Sequence, residues 1–600
     1  MCLSSHSACQ SHTSPKRLPR RLVDVAPTPK IQSKLGHQEI KSLSVESMPG
    51  VAICSTSSLP LETLYLTLSH CWGGLPAISL SRANLPEYSC LIPPKEFQHP
   101  LAATFRDAIQ ITRSLGFRYI WIDALCIIQD DATDKADEIG YMDQVYLNGV
   151  LNLSATAALN GSGGLIHARN PLIASPCVSK RYGLLAYASV FRLQVLDNKV
   201  NQRAWVLQER MLAKRILHFT HHQLFWECST WEVPEFKLAE FDISSNVMFI
   251  GMKTQFLPHQ RSEQPPIQPM RKLWTDLVKA YTSSSLSFRQ DTLPGISALA
   301  RVMCQKRDLL PHDYLAGLWA PDLPQQLIWW VIGGRAKLPT KYIAPSWSWA
   351  GARNPTFVTF ALERDTIDPL AELLEASVTP KTLDTFGEIE GGHILLRAHL
   401  SPFRVLSISN GLTFQVGTGE AAQPIAVHSS FYRDGEQYNT FRVAGKGHPA
   451  VEMDITTYVG TYRSDYLEGG VLSCIWDHGW PDEDERYQNG FFALADGSRV
   501  ALETRDFFLL TIGYKVGQNS LGRLSGLVLQ RSSARGQYLR VGEFQFYIPN
   551  SKDKDCLQNV EELDQDNLRL RRIVLGQDGS LDDVYFLETH NNNTYTIKLI

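Results

Sequence analysis

The fold is decided by the stretch Thr104-Phe-Arg-Asp-Ala-Ile-Gln-Ile-Thr-Arg-Ser-Leu-Gly-Phe-Arg-Tyr-Ile-Trp-Ile-Asp123. Its first part carries apolar residues at helical spacing, which predicts a helix over residues 104–115. Gly116 follows at the position where a glycine commonly ends a helix. Residues 117–123 are mostly aromatic or β-branched and predict a strand. A helix followed at once by an apolar strand is typical of sheets with parallel strands.

The same alternation continues on both sides of this segment. It predicts an α/β fold with a mostly parallel, TIR/flavodoxin-like sheet that helices cover on both faces. Trp121 and Ile122 should then both be buried, because a parallel sheet has no face open to water. The further predicted elements are the strands Leu64–Ser69 and Val150–Ala155, a helix over Glu138–Tyr146, a helix capped by Asn201 that runs through Trp205 and Leu212, and the hairpin of Arg215–Thr220 with Gln223–Cys228.

Length and composition indicate a globular chain of several domains. The chain has 600 residues, of which 44% are hydrophobic and 20% charged, and this excludes a mainly disordered chain. Short alternating strands, as in residues 397–408 and 507–515, indicate a β-rich C-terminal part. We predict a partly disordered N-terminal tail over 1–63, an α/β domain over 64–235, a helical, tryptophan-rich connector over 236–360 and a β-rich region over 361–600.

Charge, hydropathy and cysteine spacing exclude other classes of protein. A net charge of −3 argues against a nucleic-acid partner. No apolar run approaches the ~20 residues of a membrane span. The 11 cysteines are scattered without a C-x-x-C, which is typical of reduced thiols inside the cell. We expect no metal site and a cytoplasmic location.

Several strings occur in one fixed order between about residues 64 and 235. The ordered set resembles the heterokaryon incompatibility (HET) domain, a family of filamentous fungi involved in non-self recognition and regulated cell death. The resemblance implies self-association or binding to other incompatibility proteins. Three positions depart from the family pattern: Lys135 where tryptophan is frequent, Ala102 or Ala103 where proline is usual, and Gly149 where alanine is common. The strings are Tyr65-Leu-Thr-Leu-Ser-His-Cys-Trp-Gly73, residues 104–130, the spaced residues Asp134, Glu138, Met142, Val145, Tyr146 and Asn148, Asn152-Leu-Ser-Ala-Thr-Ala-Ala158 and Arg203-Ala-Trp-Val-Leu-Gln-Glu-Arg-Met-Leu212.

Polar residues follow the first two predicted parallel strands. Ser69, Trp72 and Gly73 come at or after the end of one strand, and Asp123 ends the next. Ligands of open α/β sheets bind beyond these carboxyl ends, which predicts a binding site there. The alternatives are a plain turn after Ser69 and a helix-capping role for Asp123.

Trp205 and Glu209 lie four residues apart and so share one helix face. An indole beside a carboxyl group can raise the pKa of the acid and offers a flat surface to a nicotinamide ring. From spacing alone, a structural Glu209 paired with Arg203, Arg210 or Arg215 is favoured.

HET domains are thought to resemble TIR domains, some of which cleave the nicotinamide–ribose bond of NAD with a glutamate in a Trp-Cys-x-x-Glu pattern. The segment Trp205-Val-Leu-Gln-Glu209 is similar, with valine for cysteine. This likeness implies an NAD+ glycohydrolase with Glu209 as its catalytic carboxylate and no cofactor. NAD would be the substrate, bound by Ser69, Trp72, Gly73, Asp123 and Trp205. The alternative is a non-catalytic signalling module that docks partners through the tryptophan-rich stretch 314–350 and the β domain.

Overall fold

The computed structural model places the predicted helix–strand segment in an eight-stranded sheet. The chain divides into two units, Met1–Leu273 with Ser284–Leu309, and Trp274–Ser283 with Leu310–Ile600. The structure describes residue 9 and residues 17–25, 50–74, 78–169, 191–235, 252–253, 255–256, 267–332, 341–352, 357–360, 368–407, 413–416, 423–429, 439–442, 471–476, 491–493, 499–501, 507–516, 522–548, 581, 585–590 and 594–600.

The sheet of the first unit is parallel at its centre and antiparallel at both sides. Its strands are β1 Arg21–Asp24, β2 Ala52–Ser55, β3 Tyr65–Ser69, β4 Tyr119–Trp121, β5 Asn152–Ser154, β6 Arg215–Phe219, β7 Leu224–Cys228 and β8 Glu232–Pro234. They lie in the order β2-β1-β4-β3-β5-β6-β7-β8. The four strands from β4 to β6 in this order run parallel. Two strands, β1 and β2, precede residue 64 and belong to the same sheet.

The prediction of a mostly parallel sheet is therefore only partly right. Three of the seven strand pairings are parallel, and four are antiparallel. The connections from β6 to β7 and from β7 to β8 are too short for the crossover that a parallel pair needs. The predicted hairpin is confirmed, since Arg215 pairs with Cys228 and Phe219 pairs with Leu224.

The helices confirm the predicted helices over 104–115 and through Trp205 and Leu212, and they correct the helix over 138–146 and the cap at Asn201. The predicted helix over 104–115 is present, and Gly116 ends it with φ +80°. Residues 138–146 are not one helix, because the chain breaks at Gly140, a poor helix former. Asn201 is not a helix cap, because its side chain donates to the carbonyl of Val195. The helices are α1 Leu85–Cys90, α2 Ala103–Ser114, α3 Asp123–Cys126, α4 Ala132–Ile139, α5 Met142–Asn148, α6 Ala204–Leu212, α7 Ile267–Thr282 and α8 Pro294–Lys306.

Short 3₁₀ and π turns connect these elements. The 3₁₀ helices span Thr56–Ser58, Pro94–Gln98, Pro100–Ala102, Arg289–Thr292, Pro311–Asp313, Ala320–Asp322, Gln325–Leu327 and Trp349–Gly351, and a π-helical turn spans Arg192–Leu196.

The second unit is rich in β-strands, as predicted for the C-terminal region. Its largest sheet has twelve strands, and the long strand β15 pairs with four of the others, β14, β16, β22 and β26. The strands are β9 Tyr314–Leu315, β10 Leu318–Trp319, β11 Trp329–Ile332, β12 Phe357–Phe360, β13 Asp368–Pro369, β14 Glu372–Pro380, β15 Ile389–Ser407, β16 Thr413–Val416, β17 Gln423–Ser429, β18 Asn439–Arg442, β19 Val471–Trp476, β20 Phe491–Ala493, β21 Arg499–Ala501, β22 Phe507–Val516, β23 Gly522–Arg531, β24 Gln537–Ile548, β25 Glu588–His590 and β26 Thr594–Leu599.

The tryptophans of the stretch 314–350 build a core. Trp319, Trp329, Trp347 and Trp349 are each at most 1% exposed. The indole N–H of Trp349 donates to the carbonyl of Gly317, and that of Trp329 donates to the carbonyl of Trp347. Buried indoles cannot bind a partner, so these four do not form the docking surface that the signalling alternative assumed. Among the described helices, none is both long and apolar enough to span a membrane.

The central strand β4 generates a stability prediction. Trp121 and Ile122 are fully buried, as predicted, and the Trp121 ring packs edge-on against Tyr146. Trp121→Ala should lower the free energy of unfolding by about 3–5 kcal/mol, because the cavity cannot close completely. The matched control is Trp231→Ala, since Trp231 is 48% exposed and should cost far less. Equal losses in denaturant unfolding of the two variants would contradict the burial argument.

Candidate functional site

A chain of hydrogen bonds crosses the ends of the parallel strands and finishes at helix α6. The hydroxyl of Thr67 donates to the side-chain oxygen of Asn152 over 2.9 Å. The amide of Asn152 donates to the hydroxyl of Ser69, also over 2.9 Å. The Ser69 hydroxyl in turn donates to the carboxylate of Glu209. All four side chains are buried, so the chain of bonds lies in a dry interface between the sheet and α6.

The Glu209 carboxyl group is held by hydroxyls. It lies on α6, is 8% exposed and also accepts a hydrogen bond from Tyr146 on α5. Burial raises the pKa of Glu209 from 4.5 to about 7, although hydrogen bonds from Ser69 and Tyr146 and the charge of Arg203 oppose that rise. Burial also raises the pKa of Tyr146 well above its ordinary value, so this hydroxyl stays protonated and can donate.

The predicted arginine partners of Glu209 are engaged elsewhere. Arg203 donates to the backbone carbonyl of His70, and Arg210 is ion-paired with Glu227. Arg215 donates to backbone carbonyls. Glu209 therefore makes no ion pair within the described part of the chain, and its nearest support is neutral.

A second pair of residues lies at the more exposed edge of the site. The indole N–H of Trp72 donates to the Asp123 carboxylate over 2.9 Å. Asp123 also accepts from the backbone N–H of Ala124 at the start of α3, and its side chain remains 30% exposed. It therefore binds the helix start and still faces solvent.

Two neighbours of Trp72 complete this edge. The His70 ring is 4% exposed, and its Nδ1 lies 3.7 Å from Asp123. Burial lowers the pKa of His70, so the ring is neutral at pH 7. Gly73 has φ +66°, and an added Cβ would lie 2.1 Å from the Cβ of Asn160. Only glycine fits there without displacing the loop.

The structure thus brings most of the predicted residues together, but it gives Trp205 another partner. Ser69 contacts Glu209, and Trp72 contacts Asp123. The Trp205 indole N–H donates instead to Asp291 over 3.2 Å. Tyr146 and Asn152 belong to the site although no role was predicted for them. Both stand in the motif strings, and a polar Asn152 between Leu151 and Leu153 was a usable signal.

The arrangement joins a dry carboxyl group to a wetter polar edge. A carboxyl group with a pKa near neutral pH can exist in either protonation state, so it can accept a proton or stabilise a nearby positive charge. Among the described residues, no cluster of His, Cys, Asp and Glu could hold a metal ion.

One comparison with known proteins gives a result for part of the chain. Residues 65–209 match the family model of the heterokaryon incompatibility protein (HET). The matched segment begins with β3 and ends at Glu209, so it contains both partners of the Ser69–Glu209 contact. Neither a curated protein nor a solved structure matches the chain.

The raised pKa of Glu209 generates a prediction about stability. The folded protein binds this proton more tightly than the unfolded chain, so wild type loses stability relative to Glu209→Gln as pH rises from about 4.5 to about 7. The expected loss is on the order of 3 kcal/mol, at about 1.4 kcal/mol for each tenfold change in proton affinity. Denaturant unfolding at pH 5 and pH 8 measures it.

The control for this measurement is Glu62→Gln, which changes an exposed glutamate. Its difference from wild type should stay constant between the two pH values. A constant difference for Glu209→Gln as well would contradict the environment described for Glu209.

Proposed function

We propose that this chain, which carries a HET domain over residues 65–209, serves fungal non-self recognition and regulated cell death by cleaving NAD at the nicotinamide–ribose bond. The HET domain itself indicates a role in heterokaryon incompatibility. The observation that supports the chemistry is the buried Glu209 carboxyl group, which Ser69 holds at the carboxyl ends of the parallel strands. TIR-likeness of the sheet and a cytoplasmic location are part of the proposal.

The proposed reaction places the ribose of NAD beside Glu209. The C–N bond between ribose and nicotinamide breaks, and nicotinamide leaves as a neutral molecule, so no general acid is needed. The ribose becomes oxocarbenium-like, and the ionised Glu209 stabilises its positive charge. Water then adds to the same carbon and releases a proton, which gives ADP-ribose. Ser69 and Tyr146 orient the carboxylate through their hydroxyls.

The edge residues have binding roles in this proposal. Asp123 is partly exposed and can accept hydrogen bonds from ribose hydroxyls. The half-buried indole of Trp72 offers a flat face, and the backbone at Gly73 allows close approach. Trp205 remains a candidate contact for the nicotinamide ring because of its place on α6, although its N–H is bonded to Asp291.

One observation favours a second candidate function. Glu209 is only 8% exposed, so a substrate cannot reach it without movement of the edge residues. A buried carboxyl group also suits a non-catalytic signalling module that self-associates or binds other incompatibility proteins. An activity measurement separates the two.

Glu209→Gln should abolish most of the activity without unfolding the protein. The substitution keeps the shape of the side chain and removes its charge, so nicotinamide release should fall about 10²-fold or more. The assay is purified protein incubated with NAD, with Glu62→Gln as the variant that should match wild type. Equal nicotinamide release by Glu209→Gln and wild type would exclude Glu209 as the catalytic group. No release by wild type, even when concentrated, would support the signalling module.

Ser69→Ala should change the pH dependence of the same activity. The Ser69 hydroxyl lowers the pKa of Glu209 by bonding to the ionised form, so its loss raises that pKa further above 7. The rise of activity with pH should therefore shift to higher pH in the variant. Ser57→Ala, at an exposed serine, is the control and should leave the profile unchanged.

A further inference from the structure

Helix α6 carries two adjacent charged residues that are both buried. Glu209 is 8% exposed, and Arg210 is 4% exposed. Charged side chains are almost never buried without partners, and two in succession on a nine-residue helix need two separate partners. Glu209 contacts Ser69 on β3, and Arg210 contacts Glu227 on β7.

The Arg210–Glu227 pair belongs to a dry cluster of buried charged groups. Glu227 accepts from Arg210 Nε over 2.7 Å, from Lys253 Nζ over 2.9 Å and from His218 Nε2 over 3.1 Å. The four side chains are at most 5% exposed. Removing one partner from such a cluster leaves a buried charge less well compensated, so its geometry is strongly fixed.

The cluster continues along the sheet toward the Glu209 site. His218 Nδ1 lies 3.1 Å from the hydroxyl of Thr156, which lies 2.9 Å from the hydroxyl of Ser154. Ser154 is in register with Ser69 on one side and with His218 on the other. Side chains in register point to the same face of a sheet, so a polar row runs under α6 from β3 to β6.

The two contacts of α6 lie far apart across the sheet. Strands β5 and β6 separate β3 from β7, so the anchors are roughly 14 Å apart at about 4.8 Å per strand. A nine-residue helix is about 13 Å long. The buried apolar side chains of α6 already hold it in place, and polar contacts on two distant strands add a directional constraint on its rotation about its own axis.

We propose that Arg210 is a positioning residue, which fixes α6 to Glu227 and thereby holds the Glu209 carboxylate against Ser69. This inference rests on the proposed function for its effect on catalysis. The proposal also predicts a structural effect, a change in the orientation of Glu209, and this can be measured without an activity assay.

The experiment compares two variants that each remove one cation from Glu227. Arg210→Gln removes the cation on α6, and Lys253→Gln removes one that lies outside α6. Arg210 Nη2 also lies 3.5 Å from the buried carboxylate of Glu232 on β8, so both variants are made in a Glu232→Gln parent. Each then leaves Glu227 with one cation and with His218. If Arg210 positions Glu209, nicotinamide release by Arg210→Gln falls at least about 10-fold in kcat with KM nearly unchanged, while Lys253→Gln stays within about 3-fold of the Glu232→Gln parent. A purely structural cluster predicts equal losses for the two variants, and that result would overturn the proposal.

A second measurement does not depend on NAD. It follows the free energy of unfolding with Glu209 in place and with Glu209→Gln, at several pH values. The way the difference between the two changes with pH reports the surroundings of the Glu209 carboxyl group. It should persist in the Lys253→Gln background and shrink in the Arg210→Gln background, where α6 can turn Glu209 toward water. Persistence in both backgrounds would refute positioning. Absence of activity in wild type, with the expected pH result, would refute the proposed function alone.

Arg210→Lys tests the same idea with a milder change. Lysine keeps the charge but loses the Nε–H that points at Glu227, so kcat should recover in part relative to Arg210→Gln. Should Arg210→Gln not fold, Arg210→Lys replaces it in both comparisons with Lys253→Gln. The proposal would then be contradicted if Arg210→Lys matched Lys253→Gln in two measurements. These are kcat and the change with pH in the stability difference caused by Glu209→Gln.

Discussion

The contact between the Ser69 hydroxyl and the Glu209 carboxylate is the constraint on which the first unit depends. It joins the end of a central parallel strand to the helix that covers it, and it does so with polar groups in a dry interface. Apolar side chains normally fill such an interface, because burying a carboxyl group costs free energy unless donors surround it. Two hydroxyls and the nearby charge of Arg203 reduce that cost only in part, and the pKa of about 7 records what remains.

The apolar and polar side chains of the sheet together show how this cost is accommodated. Trp121 and Ile122 contribute full burial of large apolar surface within the same strand segment. The polar row under α6 contributes direction instead, since hydrogen bonds and ion pairs require particular geometry where apolar contacts do not. The unit therefore combines non-directional stability with a helix whose rotation is specified, and a site that must aim one carboxyl group needs both.

Local periodicity was enough to predict much of the fold. The helix Ala103–Ser114, the strand before Asp123 and the hairpin β6–β7 follow from apolar spacing and from residues near in sequence. The antiparallel flanks and the pairing of β1 with β4 depend on contacts about 100 residues apart, which no local pattern encodes. The number of tryptophans between 314 and 350 likewise gave no information on their burial.

One part of the candidate site was predictable from the sequence, because the carboxyl ends of parallel strands meet at one edge of a sheet. That rule placed Ser69 and Asp123 on the same side as each other, although 54 positions separate them. It could not locate Asp291, whose 3₁₀ helix Arg289–Thr292 provides the partner of Trp205. It also gave no reason to choose Tyr146, because a tyrosine at helical spacing is ordinarily a core residue.

The partners of the Glu209 carboxyl group say more about its role than its burial does. A structural glutamate in a protein interior is expected to pair with a buried arginine. Glu227 on β7 does so, and its partner is Arg210, the residue that follows Glu209 on α6. Within the described residues, Glu209 has hydroxyl donors and no ion pair, so its charge is compensated less than that of Glu227. The pKa values follow this difference, since that of Glu227 is held well below its ordinary value while that of Glu209 is raised. One helix thus carries a structural charge pair and, beside it, a carboxyl group left free to take up or give up a proton near pH 7.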